Sequence, residues 1–174
     1  DRFFDFCLKP LGCGIGISRF GDHEENFCVI YGATDIFTAF LEVIHRENYL
    51  RKQSRFHYSP LILSAYKVAD LFVCEEMKLV DMTKNRCYEQ GIPTDVVKAK
   101  NHHQSMPWST AFYKHPQNFD GIIYNSRFTG KTNIVVYERS LIKFDQHPKT
   151  KPLAAFYSTL KRAGRTHSRT MSFE

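Results

Sequence analysis

Short runs of apolar residues, bounded by glycine, proline or polar residues, recur along this chain. Each run is four to nine residues long, the length typical of strands buried in a sheet. Glu75 and Glu76 separate two neighbouring runs as a turn or a hairpin would. The pattern therefore predicts strands over residues 2–8, 27–31, 66–74, 77–82, 120–124, 134–137 and 141–144.

In several other segments the apolar residues recur at helical spacing. After Gly32, either Thr34 or Asp35 is placed to cap a helix, and Ile36, Phe40, Val43 and Ile44 then form an apolar stripe. Further helices are predicted from residue 94 or 95 toward 100, from Pro107 with Trp108 packed in the core, and over 153–161. Strands and helices in this order predict an α+β domain with a mixed or antiparallel central sheet and flanking helices.

Glu42 interrupts the apolar stripe of the first predicted helix, between Phe40 and Val43. A carboxylate at the edge of a buried face needs a reason, and a functional role is one. An exposed glutamate paired with Arg46 four residues later is the alternative, worth a few tenths of a kcal/mol.

Length and composition bound the class of protein. A chain of 174 residues with 43% hydrophobic content can bury one core, so we expect a single domain over residues 1–174. It contains no apolar run of about 18 residues that could cross a bilayer. Five scattered cysteines without a CxxC pair fit neither a disulfide framework nor a zinc module, and Cys28 and Cys74 lie in apolar runs. These features predict a cytoplasmic protein.

The formal net charge of +6 and pI of about 9.1 come largely from the end of the chain, about 149–174. We interpret this segment as a solvated basic tail, or as one that docks on an acidic partner, in preference to a nucleic-acid site.

Other motifs exclude several kinds of site. His102 and His103 are adjacent, so their side chains diverge, and we predict no metal site. The run Gly12–Gly16 lacks the third glycine of a dinucleotide fingerprint. Ser126 follows a predicted strand without a GxSxG elbow, so it either caps the backbone or binds a phosphate oxygen.

Six segments in unbroken order resemble the RES domain family, whose members include the toxins of RES-Xre toxin-antitoxin pairs. The resemblance runs from about Arg19 to Arg139, with Arg2-Phe3 as a less secure start. The order and spacing of these segments, and not any single motif, carry the resemblance. The matching segments are Arg19-Phe20, VIYGA from Val29, AFLE from Ala39, LVDM from Leu79, Gly91-Ile92-Pro93 and DGIIYNSR from Asp120.

The resemblance implies a fold similar to ADP-ribosyltransferases and an activity that cleaves NAD, as substrate, at the nicotinamide bond. The essential arginine, tyrosine and glutamate of the family correspond to Arg19, Tyr31 and Glu42, and its serine corresponds to Ser126. Arg2 corresponds to an earlier arginine of some members, where Phe3 replaces a tyrosine. An Xre-type antitoxin partner is also implied, with nucleic acid reached only through that antitoxin. The oligomeric state stays open, a homo-oligomer included.

The side chains at these positions suit the cleavage of NAD. Breaking the bond between nicotinamide and ribose develops an oxocarbenium-like sugar, which the carboxylate of Glu42 would stabilise. The guanidinium of Arg19, with Arg2 as second candidate, would bind the pyrophosphate oxygens bidentately. Tyr31 would stack on a ligand ring and donate from its hydroxyl, and Ser126 would bind a phosphate or ribose oxygen.

Two alternatives remain open from the sequence. One is a protein ADP-ribosyltransferase that uses NAD. The other is a non-enzymatic RNA-binding module, which would need aromatic residues interleaved with basic ones along a sheet face. The Phe3, Phe4 and Phe6 cluster lacks that pattern.

Overall fold

The structure is a computed structural model that describes residues 3–4, 13–14, 18–22, 24, 26–46, 56–98, 103–167 and 171–173. Its chain divides into two compact units, each described here by itself. The first unit comprises Asp1–Thr34 and Leu71–Pro148, and the second comprises Asp35–Asp70 and Lys149–Glu174. A single domain over 1–174 stays a prediction.

The described residues form ten strands and six α-helices. The strands are β1 (Phe3–Phe4), β2 (Cys13–Gly14), β3 (Val29–Ala33), β4 (Phe56–Tyr58), β5 (Lys67–Ala69), β6 (Leu79–Met82), β7 (Gly121–Asn125), β8 (Thr132–Tyr137), β9 (Thr150–Pro152) and β10 (Met171–Phe173). The helices are α1 (Ile36–Phe40), α2 (Pro60–Ser64), α3 (Arg86–Glu89), α4 (Asp95–Lys98), α5 (Ser105–Tyr113) and α6 (Tyr157–His167). None of these helices is long and apolar enough to cross a membrane.

The first unit is built on a six-stranded sheet in the order β1-β2-β3-β8-β7-β6. Strands β6 and β7 pair in parallel, whereas the other neighbours are antiparallel. The prediction of an α+β fold with a mixed sheet is therefore confirmed. In this register Tyr31 lies opposite Val135, which lies opposite Ile122.

One face of the sheet holds the larger core of the first unit. Alternate residues of β3, β6, β7 and β8 pack there against Phe20 and helices α3 to α5, because side chains of a strand alternate between faces. Phe20 lies against Tyr124 with ring centroids 5.1 Å apart, and Trp108 lies 5.8 Å from Phe112, which confirms the predicted packing of Trp108.

The other face of the sheet holds Cys13 and Cys28, both buried. Their sulfur atoms are bonded and their Cα atoms lie 5.6 Å apart. The sequence did not indicate this disulfide, because five scattered cysteines do not fit a disulfide framework. Antiparallel pairing of β2 with β3 brings together two residues that stand 15 positions apart in sequence. A cytoplasmic location stays a prediction.

Asp120 explains why residues 141–144 do not form the predicted strand. They lie in or beside a 3-10 helix, Glu138–Lys143. The buried Asp120 carboxylate accepts from the Ser140 hydroxyl at 2.6 Å, the Lys78 N–H at 2.6 Å and the Lys143 ammonium at 2.9 Å. Burial raises the pKa of Asp120, but these donors outweigh it and leave the pKa below its ordinary value.

Of the turn or hairpin predicted around Glu75 and Glu76, the hairpin was wrong. Strand β5 pairs with β9 in the second unit, whereas β6 pairs in parallel with β7 in the first. The two strands belong to different sheets, so the intervening residues connect them without forming a hairpin turn.

The second unit begins with the predicted helix and its predicted cap. Asp35 accepts from the N–H groups of Phe37 and Thr38, each at 3.1 Å, and from the Thr38 hydroxyl at 2.6 Å. After α1 the helix continues as a π-helical turn, Leu41–His45. Val43, placed on the buried stripe by helical spacing, is 55% exposed, because a π turn departs from the 3.6-residue period.

The predicted basic tail is an ordered part of the second unit. Strand β9 leads through a 3-10 turn, Leu153–Phe156, into α6, and β10 pairs in parallel with β4. Leu153, Leu160 and Met171 are buried. The apolar residues between the basic ones anchor the described part of this segment in the second unit, and what its exposed charges bind stays a prediction.

Candidate functional site

Arg19 lies on a tight turn that precedes β3. The turn is closed by a hydrogen bond from the Gly21 N–H to the Ser18 carbonyl at 3.3 Å. The Arg19 guanidinium is half-buried, and its Nη1 donates to the Val96 carbonyl of α4 at 3.5 Å. The turn thus carries a guanidinium that is partly ordered by the first unit itself.

Tyr31 holds this turn on both sides of Arg19. Its hydroxyl accepts from the Phe20 N–H at 2.8 Å and donates to the Ser18 hydroxyl at 3.0 Å. The side chain remains 39% exposed. The structure therefore brings the predicted arginine and tyrosine together, and it gives the phenol a structural function that the sequence did not indicate.

Helix α5 supports the same turn from the core side. The buried Ser109 hydroxyl donates to the Phe20 carbonyl at 2.6 Å, and the buried Tyr137 hydroxyl donates to the Ser109 carbonyl at 3.0 Å. Burial keeps the phenol of Tyr137 protonated by raising its pKa, so it stays a donor. Sequence reasoning missed both residues, because no spacing signal links Ser109 to a turn 89 residues away, and Tyr137 lies still farther along the chain.

Asp22 fixes the far end of the turn. Its buried carboxylate accepts from the Asn26 N–H at 2.8 Å and from the Thr110 hydroxyl at 2.9 Å. Burial alone would raise the pKa of Asp22, but these hydrogen bonds lower it below its ordinary value. The carboxylate is thus ionised and engaged within the protein at neutral pH.

Replacing Tyr31 by phenylalanine is expected to loosen the Arg19 turn. The change removes a hydroxyl with two partners, which should lower the free energy of unfolding by about 1 kcal/mol. Amide hydrogen exchange at Phe20, whose N–H loses its acceptor, should become faster. Tyr66→Phe is the matched control, since Tyr66 is 37% exposed and belongs to the second unit. Equal exchange at Phe20 in wild type and Tyr31→Phe would contradict the anchoring role.

Ser126 lies at the carboxyl end of β7, in the turn to β8. Its buried hydroxyl accepts from the Phe128 N–H at 3.1 Å, and its backbone bonds to Lys131 and Gly130 at 2.7 and 2.8 Å. Of the two roles that the sequence left open, backbone capping is thus present. A second hydrogen bond from a ligand to the same oxygen stays a prediction.

Glu42 lies in the π-helical turn of the second unit and is half-buried. The same turn carries His45, which is buried and whose Nδ1 lies 3.1 Å from the Tyr58 hydroxyl. Burial, with a smaller effect from His167, lowers the pKa of His45, so this imidazole is neutral at pH 7. Single π turns are rare and occur frequently at functional sites. The backbone around Glu42 is therefore specialised.

Arg2 lies outside the described residues. Among the residues that are described, no group of three or more His, Cys, Asp or Glu side chains could hold a metal ion. A cavity of about 360 Å³ is lined by three residues of α5 and by four others, Asp22, Glu24, His103 and Lys114. Arg19, Tyr31 and Ser126 are not among its lining residues.

Comparison with known proteins places these features in a family. The chain is 29% identical over 100 residues to the protein named "Probable toxin y4kH" of Sinorhizobium fredii (strain NBRC 101917 / NGR234), covering 58% of this chain and 79% of that one. Its fold is similar, with a TM-score of 0.57 and 18% identity, to a chain in the crystal structure of the M. tuberculosis MbcT-MbcA toxin-antitoxin complex, covering 79% of this chain and 73% of that one. The sequence profile of the RES domain matches residues 6–158. This chain is therefore a member of the RES domain family.

Proposed function

We propose that this protein is a RES-type toxin that degrades NAD by cleaving the bond between nicotinamide and ribose. Membership of the RES domain family and similarity to a protein named as a probable toxin support the proposal. The observation that carries it is the Tyr31 hydroxyl between Ser18 and Phe20, because it fixes the backbone on both sides of Arg19. An ADP-ribosyltransferase-like fold is part of the same proposal.

Arg19 binds the pyrophosphate of NAD in this proposal. A guanidinium presents its donors in a planar fork, which fits phosphate oxygens better than a lysine ammonium does. Binding to an ordered turn costs less entropy than binding to a mobile loop, since the turn is held in advance by Tyr31 and Ser109. Tyr31 is exposed enough to offer one face of its ring to the ligand as well.

Glu42 supplies the negative charge for the reaction. As nicotinamide leaves, positive charge develops on the ribose, and a carboxylate lowers the energy of that state. Nicotinamide leaves as a neutral molecule, so the reaction needs less help from a general acid than sugar hydrolysis does. One carboxylate is sufficient for this chemistry.

Ser126 and Arg2 have supporting roles in the proposal. The Ser126 hydroxyl has lone-pair and donor capacity beyond the bond that it accepts from Phe128, so it could donate to a phosphate or ribose oxygen. Arg2 is the second candidate for the pyrophosphate. Both are expected to affect NAD binding more than the chemical step.

A toxin of this kind needs neutralisation. A chain in the structurally similar complex belongs to a toxin-antitoxin pair, and we propose that an Xre-type antitoxin performs this role here. Without that partner, consumption of NAD would arrest growth.

Incubating the purified protein with NAD tests the activity directly. We expect nicotinamide to be released, with ADP-ribose as the second product in water and ADP-ribose 1″-phosphate when inorganic phosphate is the acceptor. Liquid chromatography with mass detection separates the two products. Absence of nicotinamide under all conditions, with a folded protein shown by circular dichroism, would refute the proposal. Release of nicotinamide together with a mass increase on an added protein would instead identify a protein ADP-ribosyltransferase.

A further inference from the structure

All of the net charge of the chain resides in the second unit. This unit holds 11 of the 24 Lys and Arg residues and 5 of the 18 Asp and Glu residues, which gives the full +6. The first unit is neutral by the same count. Such asymmetry between parts of one chain is typical of proteins with a polyanionic partner.

Helix α6 displays part of this charge on one side. It buries Leu160 and Gly164, and a side chain at Gly164 would collide with the ring of Phe173, so the orientation of the helix is fixed. Helical geometry places Arg162 and Arg165 on the opposite side, and both are exposed. We call these two arginines, with the exposed hydroxyl residue Ser158, the basic face of α6.

Among the residues that the structure describes, no acidic side chain pairs with the arginines of the basic face. Helix α6 contains no acidic residue, and neither Arg162 nor Arg165 forms an ion pair or side-chain hydrogen bond with any part of the chain that the structure describes. The dipole of the helix favours Arg165 in the last turn, but not Arg162 in its middle. Exposed Lys149 and Lys151 extend the positive charge along the preceding segment.

The chemistry of the basic face fits phosphate groups. Guanidinium forks bind phosphate oxygens bidentately, and serine and threonine hydroxyls are common phosphate contacts in nucleic-acid complexes. Basic side chains lie both at β9 and on α6. A row of positive charges matches the repeated charges of a polyanion better than it matches a single carboxylate. We infer that the basic face of α6 binds the phosphate backbone of nucleic acid without reading its sequence. The inference departs from the expectation that nucleic acid is reached only through an antitoxin, and it is independent of NAD cleavage.

Salt dependence of binding tests this inference. The probe is a fluorescein-labelled DNA duplex of about 30 base pairs, titrated with the full chain between about 50 and 300 mM NaCl and followed by fluorescence anisotropy. The double variant Arg162→Gln/Arg165→Gln should bind more weakly. Its plot of log K against log salt should be less steep by about two, since each phosphate contact contributes about one.

The matched control removes the same charge from the first unit. Lys78 and Lys114 are both exposed there, so Lys78→Gln/Lys114→Gln should keep the wild-type slope. An equal slope for the α6 variant and wild type, an equal loss in both double variants, or no wild-type binding at the lowest salt would overturn the inference. Tighter binding to poly-glutamate than to the duplex would overturn it in favour of an acidic protein partner. An RNA duplex of the same length shows whether DNA or RNA supplies the phosphates.

Discussion

Replacing Glu42 by glutamine is expected to lower the rate of nicotinamide release from NAD by about 100-fold or more. The amide keeps the size of the side chain but has no negative charge to stabilise the developing oxocarbenium-like ribose. The apparent KM for NAD should change little, because the pyrophosphate is assigned to Arg19. Initial rates at saturating and limiting NAD, measured by chromatography of nicotinamide, separate the two parameters.

Glu75→Gln provides the control for charge. Glu75 is exposed in the first unit, so its loss changes the net charge equally without touching the proposed chemistry. Its variant should retain wild-type activity. If Glu42→Gln also retained activity within about threefold while melting at the wild-type temperature, the catalytic role of Glu42 would be excluded.

Replacing Gly121 by alanine is expected to destabilise the first unit by about 3 kcal/mol or to prevent folding. Gly121 is the first residue of β7 and pairs with Val136 of β8. A Cβ at this position would overlap the backbone carbonyl of Val135, which cannot move without breaking the ladder between β7 and β8. Urea unfolding followed by circular dichroism measures the loss.

Gly130→Asn is the comparison for this prediction. Gly130 has a φ of +71°, which asparagine tolerates, and no atom lies within 4 Å of a Cβ built there. Its variant should unfold within about 1 kcal/mol of wild type. A loss at Gly121 no larger than that at Gly130 would show that β7 and β8 can separate locally to admit a methyl group.

Helix α1 and the turn before β3 differ in how well the sequence predicts their hydrogen bonds. The cap of α1 was predicted at Thr34 or Asp35, because a cap bonds to residues two and three positions away, and the structure has it at Asp35. The contact of Tyr31 with Ser18 and Phe20 could not be predicted, since it depends on how the chain returns after 11 to 13 residues. The π turn at Glu42 was missed because the apolar pattern reports an average period and not a local change of hydrogen bonding.

The segment from 149 onward shows that sequence reasoning is limited in the same way for the placement of charged side chains. Six basic residues suggest a solvated segment or one that docks on an acidic partner, while the apolar residues among them predict a helix over 153–161. Those residues are buried and position α6, so the same charges become an oriented surface. Charge can be counted from a sequence, but its direction depends on which neighbours are buried.

The sequence by itself determined the α+β class, the main strands of the central sheet, the cap of the first helix to within one residue, and the family. These depend on local periodicity, local hydrogen bonds and the order of short motifs. Only the tertiary structure decided the mixed strand order, the disulfide between Cys13 and Cys28, and the support of the Arg19 turn by Tyr31 and Ser109. Each of these joins residues that are distant in sequence, and such contacts are set by the packing of the whole unit.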